Sequence, residues 1–337
     1  MRYSLVELAP VAPGSSKQAA LAHAIEAAQE AESLGYHRIW YAEHHHSTGY
    51  AAQDPVPLIA VASQNTSRIR VGSGAVLLNH YSPYSVAERL LMLEAFAPGR
   101  IDLGLGRSTA TPLIDYALLR DRTSRQVDDF ADQVEEIVGY YHRAFDPGHP
   151  FARIDLTHGI EGTPEIWLLG SSGNSAGLAG RLGIGYVFGG HINPAMARSA
   201  LTRYRQSFVE TPFGARVSRP VLALNIVAAD DEELAHRLTW PARALRAGGR
   251  DRPIPTLAQA TAELDDVHKG QPSTVEGSVI PPQISGTPDS LRAQLEPIVR
   301  ATGATEVMVQ DMLTDFDLRS RSRELIAEAL AKVDPQG

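Results

Sequence analysis

Three consecutive histidines beside a glutamate form the segment best suited to proton chemistry. Glu43, His44, His45 and His46 follow the apolar run His37–Tyr41, which is typical of a strand. Imidazole groups titrate near neutral pH, so this segment predicts general acid or base catalysis. Hydrogen-bonded loop histidines without a chemical role are the plainer alternative. We expect no metal site, because adjacent side chains splay apart and no HExxH-type partner set is present.

A second group of polar residues predicts an anion-binding site. Ser171, Ser172 and Ser175 join an apolar run to a glycine-rich helical segment. Backbone amides and hydroxyls at the amino terminus of a helix bind anions, and Arg107, at the end of another apolar run, offers a guanidinium. Turn chemistry with a surface arginine is the alternative. Together these residues favour a cofactor that carries a phosphate.

Small residues form a third feature. Gly74 and Ala75 lie in the run Gly72–Val76, where a planar ring could rest on the backbone. A GxSxG match at 173–177 resembles the nucleophile elbow of α/β-hydrolases, but two serines separate it from the preceding strand. No complete phosphate-binding loop or GxGxxG fingerprint is present. A serine hydrolase and an NAD-binding Rossmann enzyme are therefore disfavoured.

The elements that must position these residues alternate between apolar runs and amphipathic segments. The predicted strands are Arg2–Leu8, His37–Tyr41, Ile69–Leu78, Ile101–Leu105, Glu165–Leu169, Tyr186–Phe188, Val221–Ala228 and Glu306–Asp311. The predicted helices include Ala19–Leu34, Pro55–Gln64, Ser85–Phe96, Thr123–His142, Asn174–Leu182, Pro194–Phe208 and Leu318–Val333. Eight such units predict an α/β protein with a parallel (β/α)8 barrel, and a doubly wound open sheet is the competing arrangement.

One segment interrupts this alternation. Residues 246–285 are rich in glycine and proline and read as turns and loop. We interpret them as a long insertion at strand seven, where barrel enzymes carry lids or binding loops. The polar residues described above all follow predicted strands, which is where barrel active sites lie. We expect one domain over residues 1–337.

Composition narrows the class of protein further. The chain has 337 residues, 43% of them apolar, no cysteine and a net charge of −8. A thiol nucleophile and cysteine-ligated metals are excluded, and the negative charge argues against nucleic acid as a partner. No run approaches the ~20 apolar residues that span a bilayer, and the amino terminus lacks the apolar core of a signal peptide. We therefore expect a cytoplasmic enzyme that does not contact membranes.

Four segments, taken in order, resemble the luciferase-like flavin monooxygenases, and the similarity covers nearly the whole chain. They read AQEAESLGYHRIWYAEHH at 28–45, RIRVGSGAVLL at 68–78, PGRIDLGLGRS at 98–108 and IWLLGSS at 166–172. The pattern is most similar to single-chain members that tailor antibiotics.

The resemblance implies a barrel that binds FMN as FMNH2, supplied by a separate NAD(P)H:flavin reductase. The flavin would react with O2 through a C4a-hydroperoxide to oxygenate an organic substrate, such as an aromatic polyketide or an aldehyde. By position, His44 is the catalytic histidine and His45 supports it. Gly74 and Ala75 match an unusual cis peptide beneath the flavin ring. Arg107, Ser171, Ser172 and Ser175 match the phosphate contacts, and a homodimer through the second and third helices is implied.

Two departures from the family pattern bear on the substrate. The light-emitting subunit of the family carries a cysteine where this chain has Gly106, and tryptophans after strand six are replaced by Phe188, Gly189 and Gly190. The second departure favours a bulkier substrate. A barrel that uses deazaflavin F420 for hydride transfer is the nearest alternative function. A non-catalytic flavin-binding subunit is an alternative of another class, which the retained Glu43–His45 segment disfavours.

Overall fold

Eight parallel strands close into a barrel, as the sequence predicts. The computed structural model describes residues 1–118, 129–212, 214–249, 252–277 and 279–334. The strands are β1 Arg2–Glu7, β2 Arg38–Tyr41, β3 Arg70–Ser73, β4 Val76–Leu77, β5 Ile101–Gly106, β6 Glu165–Gly170, β7 Gly185–Gly189, β8 Pro220–Ala228, β9 Ile284–Gly286 and β10 Glu306–Gln310. The order β1–β2–β3–β5–β6–β7–β8–β10 closes because β10 pairs with both β8 and β1.

Helices between the strands form the outer layer. They are α1 Lys17–Ser33, α2 Pro55–Asn65, α3 Pro83–Phe96, α4 Pro112–Leu118, α5 Phe130–His142, α6 Gly173–Arg181, α7 Ala197–Ser207, α8 Glu232–Arg237, α9 Trp240–Ala247, α10 Leu257–Glu263, α11 Asp266–Lys269, α12 Pro288–Thr302 and α13 Phe316–Ala331. No helix in the described ranges is both long and apolar enough to cross a membrane. The first part of the predicted helix Thr123–His142 lies outside the described residues.

The inside of the barrel is filled below its mouth. At the amino-terminal end, the guanidinium of Arg38 forms ion pairs with Asp102 at 2.6 Å and Glu306 at 2.9 Å. Above them the rings of Trp40 and Trp167 meet edge to face with centroids 5.6 Å apart. A buried ion pair next to two aromatic rings fills this part of the interior, and barrel active sites lie beyond the carboxyl ends of the strands, so the site is sought there.

The predicted third strand, Ile69–Leu78, is wrong as one continuous element. It consists of β3 and β4, and the peptide bond between Gly74 and Ala75 is cis. The two halves use different neighbours: β3 pairs with both β2 and β5, whereas β4 pairs with β5. The position of the cis bond agrees with the one that the resemblance implies.

The interpretation of 246–285 as turns and loop is also wrong. The segment holds α10, α11 and the start of β9, and β9 continues the sheet by pairing with Ile226–Ala228 of β8. The sequence signal for α10 was available, because Thr256 and Gln259 form a capping box. The insertion does follow the seventh strand of the barrel, as predicted. Its membership in a single domain over 1–337 stays a prediction.

Candidate active site

His44 lies just past the end of β2, at the mouth of the barrel. Its ring stacks on Tyr50 with centroids 4.6 Å apart, and its backbone amide donates to the carbonyl oxygen of Ala52 at 2.9 Å. Its Nδ1 atom is buried and has no hydrogen-bond partner in the part of the chain that the structure describes. Burial lowers the pKa of His44 to about 4. The ring is therefore neutral at physiological pH and can accept a proton or a hydrogen bond.

His45 turns away from His44 and belongs to a network around Glu43. His45 Nε2 lies 2.6 Å from Glu43 Oε1, and the Tyr81 hydroxyl donates to the same oxygen at 2.9 Å. The other carboxylate oxygen accepts the backbone amide of Leu77 at 2.9 Å. Burial alone would raise the pKa of Glu43, but these donors hold it below its ordinary value. Glu43 is thus an anion that orients His45.

Two further residues complete this network, and the sequence analysis missed both. His80 Nδ1 lies 3.9 Å from Glu43 Oε1, and His80 Nε2 lies 2.9 Å from Asp115 Oδ1. His80 follows β4, and Asp115 follows β5, with which β4 pairs. Their position after a predicted strand was the signal by which the sequence could have indicated them. Neither forms a motif, because they are 35 residues apart in sequence.

The network raises the question of a metal. Ligand-type atoms of Glu43, His45 and His80 all lie within 4.8 Å of one another. However, each imidazole already forms a hydrogen bond with a carboxylate, His45 with Glu43 at 2.6 Å and His80 with Asp115 at 2.9 Å. Contacts of this kind need no metal ion. The expectation that the site holds no metal stays a prediction.

The floor of the mouth is made of backbone. A side chain at Gly106 would place its Cβ 2.9 Å from the Cβ of Ala75, and one at Gly74 would lie 3.1 Å from the Cβ of Trp40. These contacts leave no room for larger side chains at Gly74 and Gly106. A flat, uncharged surface of this kind suits a planar ring.

The residues predicted to bind a phosphate lie at the ends of two neighbouring strands, β5 and β6. Arg107 follows β5 directly and is exposed, while Ser171 and Ser172 lead from β6 into α6. β5 and β6 are paired neighbours, so these residues share one sector of the mouth. Ser172 is the exposed residue before the first turn of α6, and its side chain makes no capping bond.

Ser175 differs from the other serines. Its Oγ lies 3.0 Å from the carbonyl oxygen of Ser172 and 3.0 Å from the hydroxyl of Tyr186. This hydroxyl is therefore engaged within its own turn. Arg203 of α7 was missed by the sequence analysis: its Cδ lies 3.4 Å from where a side chain on Gly173 would begin.

The insertion covers another sector of the mouth. The Nδ2 atom of Asn225 in β8 donates to the carbonyl oxygen of Pro282 at 3.2 Å. At the other edge, a side chain on Gly49 would lie 2.9 Å from the carbonyl oxygen of Arg252 and 3.6 Å from Ile254. Gly49 precedes Tyr50, so the insertion packs against the loop that carries the partner of His44.

The chain is a closed (β/α)8 barrel with a neutral histidine just past one of its strands, at the end where barrel enzymes carry their active sites. The sequence pattern of the luciferase-like monooxygenases matches residues 1–306. This chain belongs to the luciferase-like monooxygenase family, and it is an enzyme of that family.

Individual relatives match along almost their whole length. A luciferase-like monooxygenase of Escherichia coli (strain K12) is 34% identical over 325 residues, which cover 96% of this chain and 95% of the relative. An N-acetyl-S-alkylcysteine monooxygenase of Bacillus subtilis (strain 168) is 29% identical over 334 residues, 98% of each chain. The crystal structure of apo-MsnO8 superposes with a TM-score of 0.86 at 36% identity and covers 99% of both chains.

Two more distant structures share the fold alone and bear different cofactors. The oxygenating constituent of 3,6-diketocamphane monooxygenase of Pseudomonas putida, in complex with FMN, has a TM-score of 0.71 at 21% identity, covering 100% of this chain and 98% of that one. An F420-dependent secondary alcohol dehydrogenase has a TM-score of 0.63 at 13% identity, covering 97% and 98%. The same fold therefore occurs in a protein that is complexed with FMN and in one that depends on F420.

Proposed function

We propose that this chain is an FMNH2-dependent monooxygenase that uses O2 to oxygenate an organic small molecule. The observation that carries the proposal is the floor at Gly74, Ala75 and Gly106, together with the neutral ring of His44. The amide of Gly74 donates to the carbonyl oxygen of Tyr41, the last residue of the strand that precedes His44, at 2.8 Å. A tricyclic ring needs a flat surface on one face and few charges around it. In this proposal a separate NAD(P)H:flavin reductase supplies the reduced cofactor.

The residues present fit FMN in two respects. The buried Nδ1 atom of His44 lacks a partner within the described residues, and the close contacts at Gly74 and Gly106 keep larger side chains out of the floor. Arg107, Ser171 and Ser172 would hold the phosphate. When bound, reduced FMN supplies the two electrons by which one oxygen atom enters the substrate and the other leaves as water.

The protein itself positions groups and controls one proton. His44 keeps a neutral ring, because burial lowers its pKa to about 4, and its unpartnered Nδ1 is the atom through which it would exchange a hydrogen bond or a proton with the ligand. The carboxylate of Glu43 fixes the ring of His45, which lies 2.6 Å away. The insertion, packed on Gly49 through Ile254, excludes water from one side of the mouth.

The substrate remains a proposal at the level of class. Phe188 is fully buried in the outer core, and a side chain on Gly190 would meet Leu222 at 2.9 Å, so neither residue fills the mouth. This leaves room for a bulky, aromatic polyketide of the kind made in antibiotic biosynthesis, in preference to a linear aldehyde. A cytoplasmic location and a flavin reductase as partner complete the proposal.

Anaerobic titration separates FMN from the alternative cofactor. We expect the absorbance spectrum of each reduced cofactor to report its binding to the purified chain. The affinity for reduced FMN should be higher than that for reduced F420. Tighter binding of F420 would favour the hydride-transfer alternative. The non-catalytic alternative is tested by supplying the chain alone with FMNH2, O2 and candidate substrates, because a subunit without activity gives no oxygenated product.

We also propose that the chain forms a homodimer through α2 and α3. Val61 of α2 and Met92 and Phe96 of α3 are large apolar side chains that are 49%, 55% and 66% exposed. The two helices pack side by side, and Gln64 donates to the carbonyl oxygen of Phe96. Apolar side chains exposed on adjacent helices favour a protein interface.

A further inference from the structure

The 3₁₀ turn Leu78–His80 contacts two separate parts of the candidate site. On one side, the rings of His80 and His45 meet edge to face with centroids 5.6 Å apart, and His80 Nδ1 lies 3.9 Å from Glu43 Oε1. On the other side, His80 Nε2 lies 2.9 Å from Asp115 Oδ1. The side chain of His80 is only 2% exposed, so water does not screen these contacts.

The same turn also holds the segment that begins at Arg107. The side-chain amide of Asn79 donates to the carbonyl oxygen of Arg107 at 2.9 Å. Asp115 Oδ1, besides facing His80, accepts the backbone amide of Ala110 at 2.8 Å. Asp115 therefore ties the first turn of α4 to the loop after β5. Two hydrogen bonds therefore connect the Arg107–Asp115 segment to the turn, and a third lies within the segment.

The charges around His80 suit this arrangement. Glu43, from the end of β2, and Asp115, from α4, face its two ring nitrogens, while His45 and Tyr81 bind the same oxygen of Glu43. The carboxylate of Glu43, 3.9 Å from Nδ1, and then that of Asp115, hydrogen-bonded to Nε2, raise the pKa of His80 above its ordinary value. A ring protonated on both nitrogens attracts both carboxylates, so it links β2 to α4.

We propose that His80, together with Asp115 and Asn79, positions the Arg107 segment over the phosphate end of the cofactor site. This inference rests on the proposed flavin function, because it assigns the 5′-phosphate to Arg107. We call the three residues Asn79, His80 and Asp115 the bracket. The bracket does not include the floor at Gly106 or the ring of His44. Binding of a flavin without a phosphate should therefore be insensitive to the bracket.

The test compares FMN with riboflavin, which has the same ring system and no phosphate. We expect His80→Gln and Asp115→Asn each to weaken FMN binding about tenfold while riboflavin binding changes less than about twofold. The double variant should lose no more than the worse single variant, because both changes remove one linkage. His142→Gln changes a half-buried histidine of α5 near the amino-terminal end of β6 and should bind both flavins like the wild type.

A pH profile distinguishes positioning from a merely structural role. As the pH rises through the raised pKa of His80, the wild-type preference for FMN over riboflavin should fall relative to that of His80→Gln. The phosphate ionises in the same way in both proteins, so the difference between the two profiles reports His80. Unchanged FMN affinity in both variants, or an equal loss for both flavins, would overturn the proposal.

Amide hydrogen exchange keeps this inference separate from the proposed function. A wild-type protein that binds neither flavin would refute the cofactor assignment. Even then, faster exchange at Ala110 in His80→Gln and Asp115→Asn would support the bracket, because the segment would have lost its restraint. Unchanged exchange at Ala110 in both variants would refute the bracket whatever the cofactor is.

Discussion

His44 and His45 are neighbours in sequence, but their side chains lie in different environments. His44 is stacked on Tyr50 with a free, buried Nδ1, whereas His45 is bonded to the carboxylate of Glu43. The sequence showed that the histidines would splay apart. It gave no means of telling which ring would be neutral, since that depends on burial and on contacts from distant parts of the chain.

His44→Ala should keep flavin binding and lose most turnover. The floor proposed to lie under the flavin ring is unaffected by this change. The imidazole of His44, the group proposed to handle a proton at the mouth, is removed. Affinity for reduced FMN and the rate of product formation with a substrate should be measured together. His158→Ala, which removes a histidine whose side chain is 88% exposed, is the control. Unchanged turnover in His44→Ala would remove the proposed role of this residue.

The same histidine predicts how stability depends on pH. The pKa of His44 falls from the ordinary 6.5 to about 4 in the folded chain, so the unfolded chain binds more protons between these values. The free energy of unfolding should therefore fall as the pH is lowered through this window, with His44 contributing about 3 kcal/mol. Urea unfolding at several pH values should show a weaker dependence in His44→Gln. An identical dependence in wild type and variant would contradict this burial effect.

Gly106→Ala tests the floor directly. The added methyl group would lie 2.9 Å from the Cβ of Ala75, a contact that backbone and side chain cannot avoid without a shift. We expect about tenfold weaker flavin binding, because the ring loses its flat seat. Gly148→Ala is the matched control, since no atom lies within 4 Å of the new Cβ. Equal flavin affinity in the Gly106 variant and the control would show that the ring does not rest there.

At the scale of elements, periodicity predicted the barrel but not its irregular parts. The eight barrel strands and most helices lie where the apolar patterns placed them, since burial on both faces makes such strands conspicuous. The break between β3 and β4 was missed because a run of small and apolar residues looks continuous. The helices of the insertion were missed because glycine and proline dominate the segment, although Ile254 and Ala260 are fully buried.

Ile254→Ala tests whether the insertion is a packed cover. The side chain of Ile254 is fully buried and lies beside Gly49, so its truncation should lower the free energy of unfolding by about 2 to 4 kcal/mol. Exchange of amides in 252–264 should accelerate. Val279→Ala, at a valine of the same insertion that is 68% exposed, should have no measurable effect. Equal stability of the two variants would argue that the insertion is only loosely held.

At the scale of the whole molecule, the chain is a barrel whose interior is filled by Arg38, Trp40 and Trp167, with the candidate site at the carboxyl ends of its strands. The sequence predicted this architecture and the sector of the mouth that holds Arg107, Ser171 and Ser172. It did not predict the Glu43–His80–Asp115 network, whose members come from three strand ends and meet only when the barrel closes. Such contacts have no local spacing that a sequence could reveal.

The proposed homodimer gives a prediction at this scale. Phe96→Asp places a charge on the apolar face of α2 and α3, so the chain should change from a dimer to a monomer in sedimentation experiments. Val267→Asp, at an exposed apolar residue of α11, is the control and should remain dimeric. A wild-type monomer, or a dimer that survives the Phe96 change, would refute this interface.

The central claim is that the mouth of this barrel holds reduced FMN and governs its reaction with O2. Rapid mixing tests this claim most directly. The chain is saturated with anaerobically reduced FMN and mixed with oxygenated buffer, and the absorbance of oxidised FMN is followed. We predict that this absorbance returns many times more slowly than for free reduced FMN, because the enclosed site protects the bound flavin. Return at the rate of free flavin, together with no measurable affinity for reduced FMN, would contradict the claim.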